Sequence, residues 1–138
     1  MNCKQIIIPL SIHNQMVEHG VSTLPYEACG LLAGNQTNVQ SIWQLKNECK
    51  SDRRFFVSKH NVERTLNRIN EEKQDVLAIY HSHPFTAPIP STLDMINHPD
   101  TDIKMIIISF KRGSPTVRWY RIRDTNYEEC LFRIESSR

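Results

Sequence analysis

The prediction of the fold starts from the stretch V-L-A-I-Y-H-S-H-P-F-T-A-P-I-P-S-T-L-D, residues 76–94. Its first part, residues 76–79, is apolar on both faces, which predicts a central strand that is covered on both sides. Side chains two residues apart on a strand point to the same face. If the strand runs to the second histidine, His81 and His83 project side by side and Ser82 points away.

A proline-rich loop follows this strand and leads to a short helix. Pro84 has no N–H to donate, so we expect the strand to end there. Ser91 is predicted to open a helix that ends near His98, and Asp94 lies one turn into it. That position can direct the carboxylate back toward the two histidines. Two imidazoles and one carboxylate form a three-ligand zinc site with a fourth position left for water.

Each part of this stretch also has a purely structural interpretation. A single buried histidine is more often a hydrogen-bonded core residue than a ligand, although two on one face would crowd unless a metal were shared. The spacing of Ser91 and Asp94 is that of a capping box, which by itself explains both residues. A capping helix can still present its carboxylate to a neighbouring site, so the two interpretations of S-x-x-D are compatible.

A second informative stretch is L-P-Y-E-A-C-G-L-L-A-G, residues 24–34. Residues 28–33 are predicted to form a buried strand, with Glu27 at its entrance. Taken alone, a carboxylate in that place is more typical of a solvated turn. A hydrolytic zinc site, however, needs a general base, and Glu is the usual choice. In that interpretation Glu27 moves the proton and the Ser91 hydroxyl donates to the developing oxyanion.

The remaining sequence predicts a mixed β-sheet flanked by helices, an α/β or α+β domain that spans residues 1–138. Alternating and apolar runs indicate the strands, and apolar residues at spacings of three and four indicate the helices. Residues 55–57 are interpreted as a short strand or an apolar anchor. The predicted strands are 4–8, 28–33, 39–45, 76–83, 104–110 and 115–123, and the predicted helices are 9–19, 58–73 and 91–98. Residues 127–134 are compatible with a last strand or a helix, and the strand is favoured.

Composition narrows the class of protein. The 138 residues are 39% hydrophobic and 23% charged, as in ordinary globular domains. A net charge of +2 without any block of like charges gives no electrostatic case for nucleic acid or membrane partners. No long apolar run or signal-peptide pattern is seen, so we expect a cytoplasmic protein. The four cysteines form no C-x-x-C pair and are predicted to be free thiols.

Together these residues resemble the JAMM/MPN metallopeptidase family. The resemblance rests on Glu27, H-S-H-P at 81–84, six further residues and S-x-x-D at 91–94, with P-x-E-x-C-G-L-L-x-G at 25–34 around the glutamate. It implies a cytidine-deaminase-like MPN/JAMM fold. It also implies one Zn²⁺ per chain. By position, it implies His81, His83 and Asp94 as metal ligands, Glu27 as catalytic acid/base and Ser91 as oxyanion stabiliser.

The resemblance also implies an activity and a partner. Such enzymes hydrolyse peptide or isopeptide bonds after the C-terminal glycines of ubiquitin-like proteins, whose tail would bind as an added strand along an exposed edge. The sequence departs from the family at residues 78–80, where Ala-Ile-Tyr replaces a common Gly-Trp, without touching a catalytic group. The short chain looks like the compact prokaryotic members. Their implied substrates are sulfur-carrier proteins, including a carrier that bears a C-terminal cysteine.

Two other classes of function stay open, a catalytically silent scaffold and a different zinc hydrolase. A catalytically silent MPN-type scaffold that binds protein partners would usually lack ligands of the motif, whereas all five positions are present here. A nucleobase deaminase would carry H-x-E and P-C-x-x-C, and a common zinc protease H-E-x-x-H, and none of these occurs. A thiol nucleophile at Cys29 would need a paired base, and none is evident in the sequence, so Cys29 is predicted to be a core residue. His98 can approach the site, but nothing in the sequence requires it.

Overall fold

A single mixed sheet organises the computed structural model, which describes residues 4–136. In that part of the chain the strand order is β7-β6-β5-β4-β2-β3-β1-β8, which confirms the predicted fold class. The strands are β1 Ile6–Pro9, β2 Cys29–Asn35, β3 Asn38–Leu45, β4 Asp75–His83, β5 Lys104–Ser109, β6 Thr116–Arg123, β7 Asn126–Cys130 and β8 Phe132–Glu135; the helices are α1 Leu10–Ser22, α2 Lys59–Glu71 and α3 Thr92–Asn97.

Strand β4 lies in the middle of the sheet, as its sequence predicts. It pairs antiparallel with β2 and parallel with β5. Ala78 and Tyr80 are fully buried in the main core on one side of the sheet, together with Ile106 and Ile108 of β5. The alternate positions, which include His81, therefore face the other side.

The pairing of β2 with β4 requires a residue without a side chain at one position. Gly30 lies opposite Tyr80, and a Cβ atom placed on Gly30 would come within 2.4 Å of the Tyr80 ring. The next pair in the register is Cys29 with His81. The glycine thus leaves room for the Tyr80 ring directly before the first histidine.

The three helices form in the predicted segments, although α1 continues through Gly20 to Ser22 and does not end at residue 19 as predicted. Helix α1 buries Ile12 and Met16, and Ser58 caps α2 by accepting a hydrogen bond from the Asn61 N–H. Residues 55–57 form no strand, so of the two interpretations only the apolar anchor remains. Within residues 4–136 no helix has the length and apolar character that a membrane span requires.

The prediction of one strand over residues 127–134 is wrong. The segment forms two strands, β7 on β6 and β8 on β1, which lie at opposite edges of the sheet. Only Leu131, 77% exposed, separates them. Because one residue joins the two edges, the sheet must curl until its edges come close. Stacking of Trp119 on Phe132, with ring centroids 5.3 Å apart, bridges this curl.

The cysteines differ in whether they are free or disulfide-bonded. Cys29 and Cys49 are free thiols, as predicted, and Cys29 is completely buried in β2. Cys130, at the end of β7, is disulfide-bonded, so the prediction of a free thiol is wrong for this residue. Cys3 lies outside the described residues.

Candidate metal centre

Three donor atoms converge where β4 ends and α3 begins. His81 Nε2, His83 Nε2 and Asp94 Oδ2 form a triangle in which each pair of atoms is 3.2 Å apart. All three side chains are at least nine-tenths buried. Ligand atoms held about 2.0–2.1 Å from a tetrahedral zinc lie about 3.3 Å apart. The spacing of the triangle therefore fits three ligands of one metal ion.

The loop after β4 fixes the tautomer of His83. Its Nδ1 donates to the carbonyl of Ala87 at 2.8 Å, which leaves Nε2 with a lone pair directed at the triangle. The loop is itself held by Ser109, whose hydroxyl donates to the Thr86 carbonyl at 2.5 Å. A neutral imidazole lone pair that faces a carboxylate oxygen is an arrangement that a shared cation stabilises.

Asp94 takes part both in the capping box of α3 and in the donor triangle. Ser91 Oγ accepts the Asp94 N–H, and the Ser91 N–H donates to Asp94 Oδ2, both at 3.0 Å, so the capping box is complete. Burial alone would raise the pKa of Asp94, but the hydrogen bonds from His81 and from the Ser91 N–H outweigh it and hold that pKa well below its usual range. The carboxylate is therefore ionised at the corner of the triangle.

Glu27 is buried, not solvated, so the more ordinary interpretation of this residue is wrong. Its side chain is 1% exposed, and Oε1 has no hydrogen-bond partner among the residues that the structure describes. Since Cys29 pairs with His81, continuing the antiparallel register brings Glu27 opposite His83, on the same face. Burial and then the charge of Asp94 raise the pKa of Glu27 to about 9.

Ser82, between the two histidines, points away from the triangle, yet it holds the segment that carries the glutamate. Its N–H donates to the Ala28 carbonyl at 3.0 Å, and its hydroxyl accepts the Ala28 N–H at 2.8 Å. The backbone of Glu27 is tied down separately. Its N–H donates to the Ser51 carbonyl at 2.8 Å, and its carbonyl accepts from Asn47 Nδ2 at 3.1 Å.

The anchor formed by residues 55–57 touches the triangle directly. The ring of Phe55 stacks on His81, with centroids 5.2 Å apart and an angle of 29° between the planes. Phe55 also lines a cavity of about 720 Å³, and His81 and Asp94 line the same cavity. Sequence reasoning missed this contact, because the only signal was a pair of aromatic residues in a polar loop.

Two other candidates stand outside the triangle. His98 lines the same cavity, but its Nε2 donates to the Ile103 carbonyl at 2.6 Å. Burial, followed by the charge of Glu27, raises the pKa of the Cys29 thiol to about 12. A neutral, fully buried thiol is a poor nucleophile, which supports its interpretation as a core residue.

Comparison with known proteins places this geometry in context. The family model for prokaryotic homologs of the JAB domain matches residues 9–122. Desampylase of Pyrococcus furiosus is 31% identical over 75 residues, which is 54% of this chain and only 54% of that protein. The chain is therefore matched to about half the length of this relative.

Solved structures share the fold. The solution structure of a Desulfitobacterium hafniense protein superposes with a TM-score of 0.86 at 24% identity, covering 96% of this chain and 94% of that one. A JAB1/MPN domain protein from Archaeoglobus fulgidus superposes with a TM-score of 0.60 at 17% identity, covering 94% and 99%. At these identities the likeness establishes the architecture alone.

Proposed function

The chain belongs to the family of prokaryotic homologs of the JAB domain, and from that premise we propose that it is a zinc-dependent metallopeptidase. Its reaction is hydrolysis of a peptide or isopeptide bond after the C-terminal glycines of a ubiquitin-like or sulfur-carrier protein. The observation that carries the proposal is the triangle of 3.2 Å distances among His81, His83 and Asp94, with the buried Glu27 on the same face.

The donor set fits one zinc ion per chain. Two imidazole nitrogens and one ionised carboxylate oxygen are a ligand set that catalytic zinc accepts, and three protein ligands leave a further position open. The hydrogen bond from His83 Nδ1 to Ala87 supports the required tautomer. When bound, zinc supplies Lewis-acid chemistry, since it polarises a carbonyl and lowers the pKa of water.

Glu27 is the group that moves the proton. A base with an unpartnered, buried carboxylate oxygen can accept a proton from the attacking water and then deliver it to the leaving amine. Its high pKa in the absence of a cation suits a group that must also act as an acid. A positive charge at the triangle would lower that pKa and so favour the ionised, proton-accepting form.

Ser91 is suited to stabilise the oxyanion. Its hydroxyl oxygen accepts the Asp94 N–H, so the hydroxyl hydrogen remains available to donate. The residue is exposed and lies at the start of the helix that carries Asp94. One serine thus caps the helix and offers a hydrogen bond to the carbonyl oxygen as negative charge develops there.

The tail of the partner reaches this site through the cavity. The sheet edges, β7 and β8, lie three and four strands away from β4, so the expected pairing with an exposed sheet edge would not bring a tail to the histidines. The cavity shares His81 and Asp94 with the triangle. The Pyrococcus furiosus relative is a desampylase, which removes a ubiquitin-like SAMP, and this supports a ubiquitin-like partner.

The test is hydrolysis of purified ubiquitin-fold carrier proteins that end in Gly-Gly followed by one extra residue. We expect the zinc-loaded wild-type protein to release that residue from at least one carrier, as followed by intact mass. Glu27→Gln, which keeps the shape of the side chain but cannot accept a proton, is expected to retain zinc and fold and to lose activity by at least about 100-fold. Equal rates in both proteins would contradict the mechanism.

A catalytically silent scaffold predicts a different pattern. It would bind a carrier with the same affinity in wild type and Glu27→Gln, and neither protein would release the extra residue. Activity that survives Glu27→Gln but disappears in His83→Ala would instead point to a zinc hydrolase with another base.

A further inference from the structure

The cavity beside the donor triangle is far larger than a water molecule needs. It measures about 720 Å³, and it lies between the sheet, α2, α3 and the loop before α2. Its walls are mostly apolar side chains, and they come from several strands, from α2 and from the loop before it. Among them are Leu31, Leu45, Phe55, Val62, Ile79 and Met105.

A tail made only of glycines would leave this space unfilled. The two C-terminal glycines of such a tail present no side chain to the apolar walls. Apolar cavity wall that stays hydrated when a tail binds contributes nothing to the affinity. A large apolar side chain placed in the cavity removes its own surface and that of the wall from water, which strengthens binding. The cavity is therefore matched to a bulky apolar residue that precedes the glycines.

Outside the donor triangle, the cavity is lined by no acidic side chain of residues 4–136. Apart from the donors His81 and Asp94, its titratable lining residues are Cys49, Arg54 and His98. Asp94 is the one carboxylate among them and belongs to the triangle. Arg54 is exposed and takes part in none of the ion pairs found within residues 4–136. A basic tail residue would find no counter-charge here and would meet Arg54.

We propose that this cavity selects ubiquitin-like tails that carry a large apolar residue directly before the glycines and an acidic, not a basic, residue next to it. Arg54 is the specificity-determining residue for the charge, and the apolar walls set the preference for size. The inference rests on the proposed function, because it concerns the tail that the same site would process.

Binding is measured apart from hydrolysis, on the zinc-loaded wild-type protein, because probes that end at the second glycine contain no bond after the glycines to cleave. The probes are four synthetic peptides: Ala-Glu-Leu-Gly-Gly, Ala-Glu-Ala-Gly-Gly, Ala-Lys-Leu-Gly-Gly and Ala-Glu-Lys-Gly-Gly. Dissociation constants are obtained by titration calorimetry or by NMR shifts. We expect the first peptide to bind at least about fivefold more tightly than each of the other three, since it alone satisfies both preferences.

Variants separate charge from size. Arg54→Glu is expected to reverse the preference between the Glu-Leu and Lys-Leu peptides. Arg53→Glu is the matched control, because the neighbouring arginine is also exposed but does not line the cavity, and it should leave the order unchanged. Val62→Trp, which adds volume at the wall, should abolish the advantage of leucine over alanine.

Several results would overturn the inference. They are equal affinity for the leucine and alanine peptides, an effect of Arg54→Glu that Arg53→Glu reproduces, and failure of all four peptides to bind. None of these would affect the proposed function, which stands or falls on zinc and on hydrolysis of whole carriers. Conversely, the predicted order of affinities would hold even if no carrier were hydrolysed.

Discussion

The hydroxyl of Ser82 accepts the backbone N–H of Ala28 at 2.8 Å, while the Ser82 N–H donates to the Ala28 carbonyl at 3.0 Å. A side-chain oxygen thus takes the place that a backbone carbonyl holds in an antiparallel pair. Ser82 is completely buried, and Ala28 directly follows Glu27. The residue between the two histidines therefore positions the proposed base from the opposite face of the strand.

Removing this acceptor is expected to displace Glu27. In Ser82→Ala the buried Ala28 N–H loses its partner, which costs about 1–3 kcal/mol of stability. We expect kcat to fall by at least about tenfold, because the carboxyl is no longer held in place, while KM and zinc content stay unchanged. Ser82→Thr keeps the hydroxyl and should restore most of kcat. If Ser82→Ala turns over as fast as wild type, Ser82 has no positioning role.

The metal-free protein should reveal the buried carboxyl of Glu27 in its stability. The pKa of this group is raised to about 9 in the folded protein, above its unfolded value. Its contribution to stability is therefore fully present below pH about 4.5 and is lost as the pH rises toward 9. Glu27→Gln has no such loss, so its unfolding free energy relative to wild type should increase from pH 5 to pH 9, by on the order of a few kcal/mol.

Denaturant titrations of both metal-free proteins at several pH values measure this difference. Groups common to both proteins, such as the ionised Asp94, largely cancel in the comparison. A difference that is independent of pH would show that Glu27 titrates in the folded protein as it does in the unfolded chain.

Phe55 is expected to slow the escape of metal from the triangle. Its ring stacks on His81 and covers that ligand on the cavity side. We expect Phe55→Ala to lose zinc to a chelator at least about fivefold faster, because the imidazole is less restrained and more accessible to water. Phe56→Ala is the matched control, since Phe56 is 59% exposed and makes no ring contact with either histidine. Equal rates in the two variants would rule out this role.

Much of the site is predictable because its signals are local. The alternation of a strand places His81 and His83 on one face, and the capping-box spacing places Asp94 one turn into a helix. Both features depend on a few neighbouring residues, so one sequence is enough to recognise them. The central position of β4 likewise follows from its apolar run.

Other features depend on contacts between distant segments. The burial of Glu27 comes from β4 and from the loop that contains Ser51, more than twenty residues away in the sequence. The stacking of Phe55 on His81 also joins separate segments. Residues 127–134 alternate like one strand, and only the closure of the sheet decides that β7 and β8 separate at Leu131. Pattern alone carries no information about such closure.

The triangle of His81, His83 and Asp94 is expected to hold one zinc ion, and elemental analysis of purified protein measures this. We expect one zinc per chain in wild type and in His60→Ala, a control on the exposed surface of α2, and none in His81→Ala/His83→Ala. A well-folded wild-type protein that contains no zinc, even after incubation with the metal, would contradict the account.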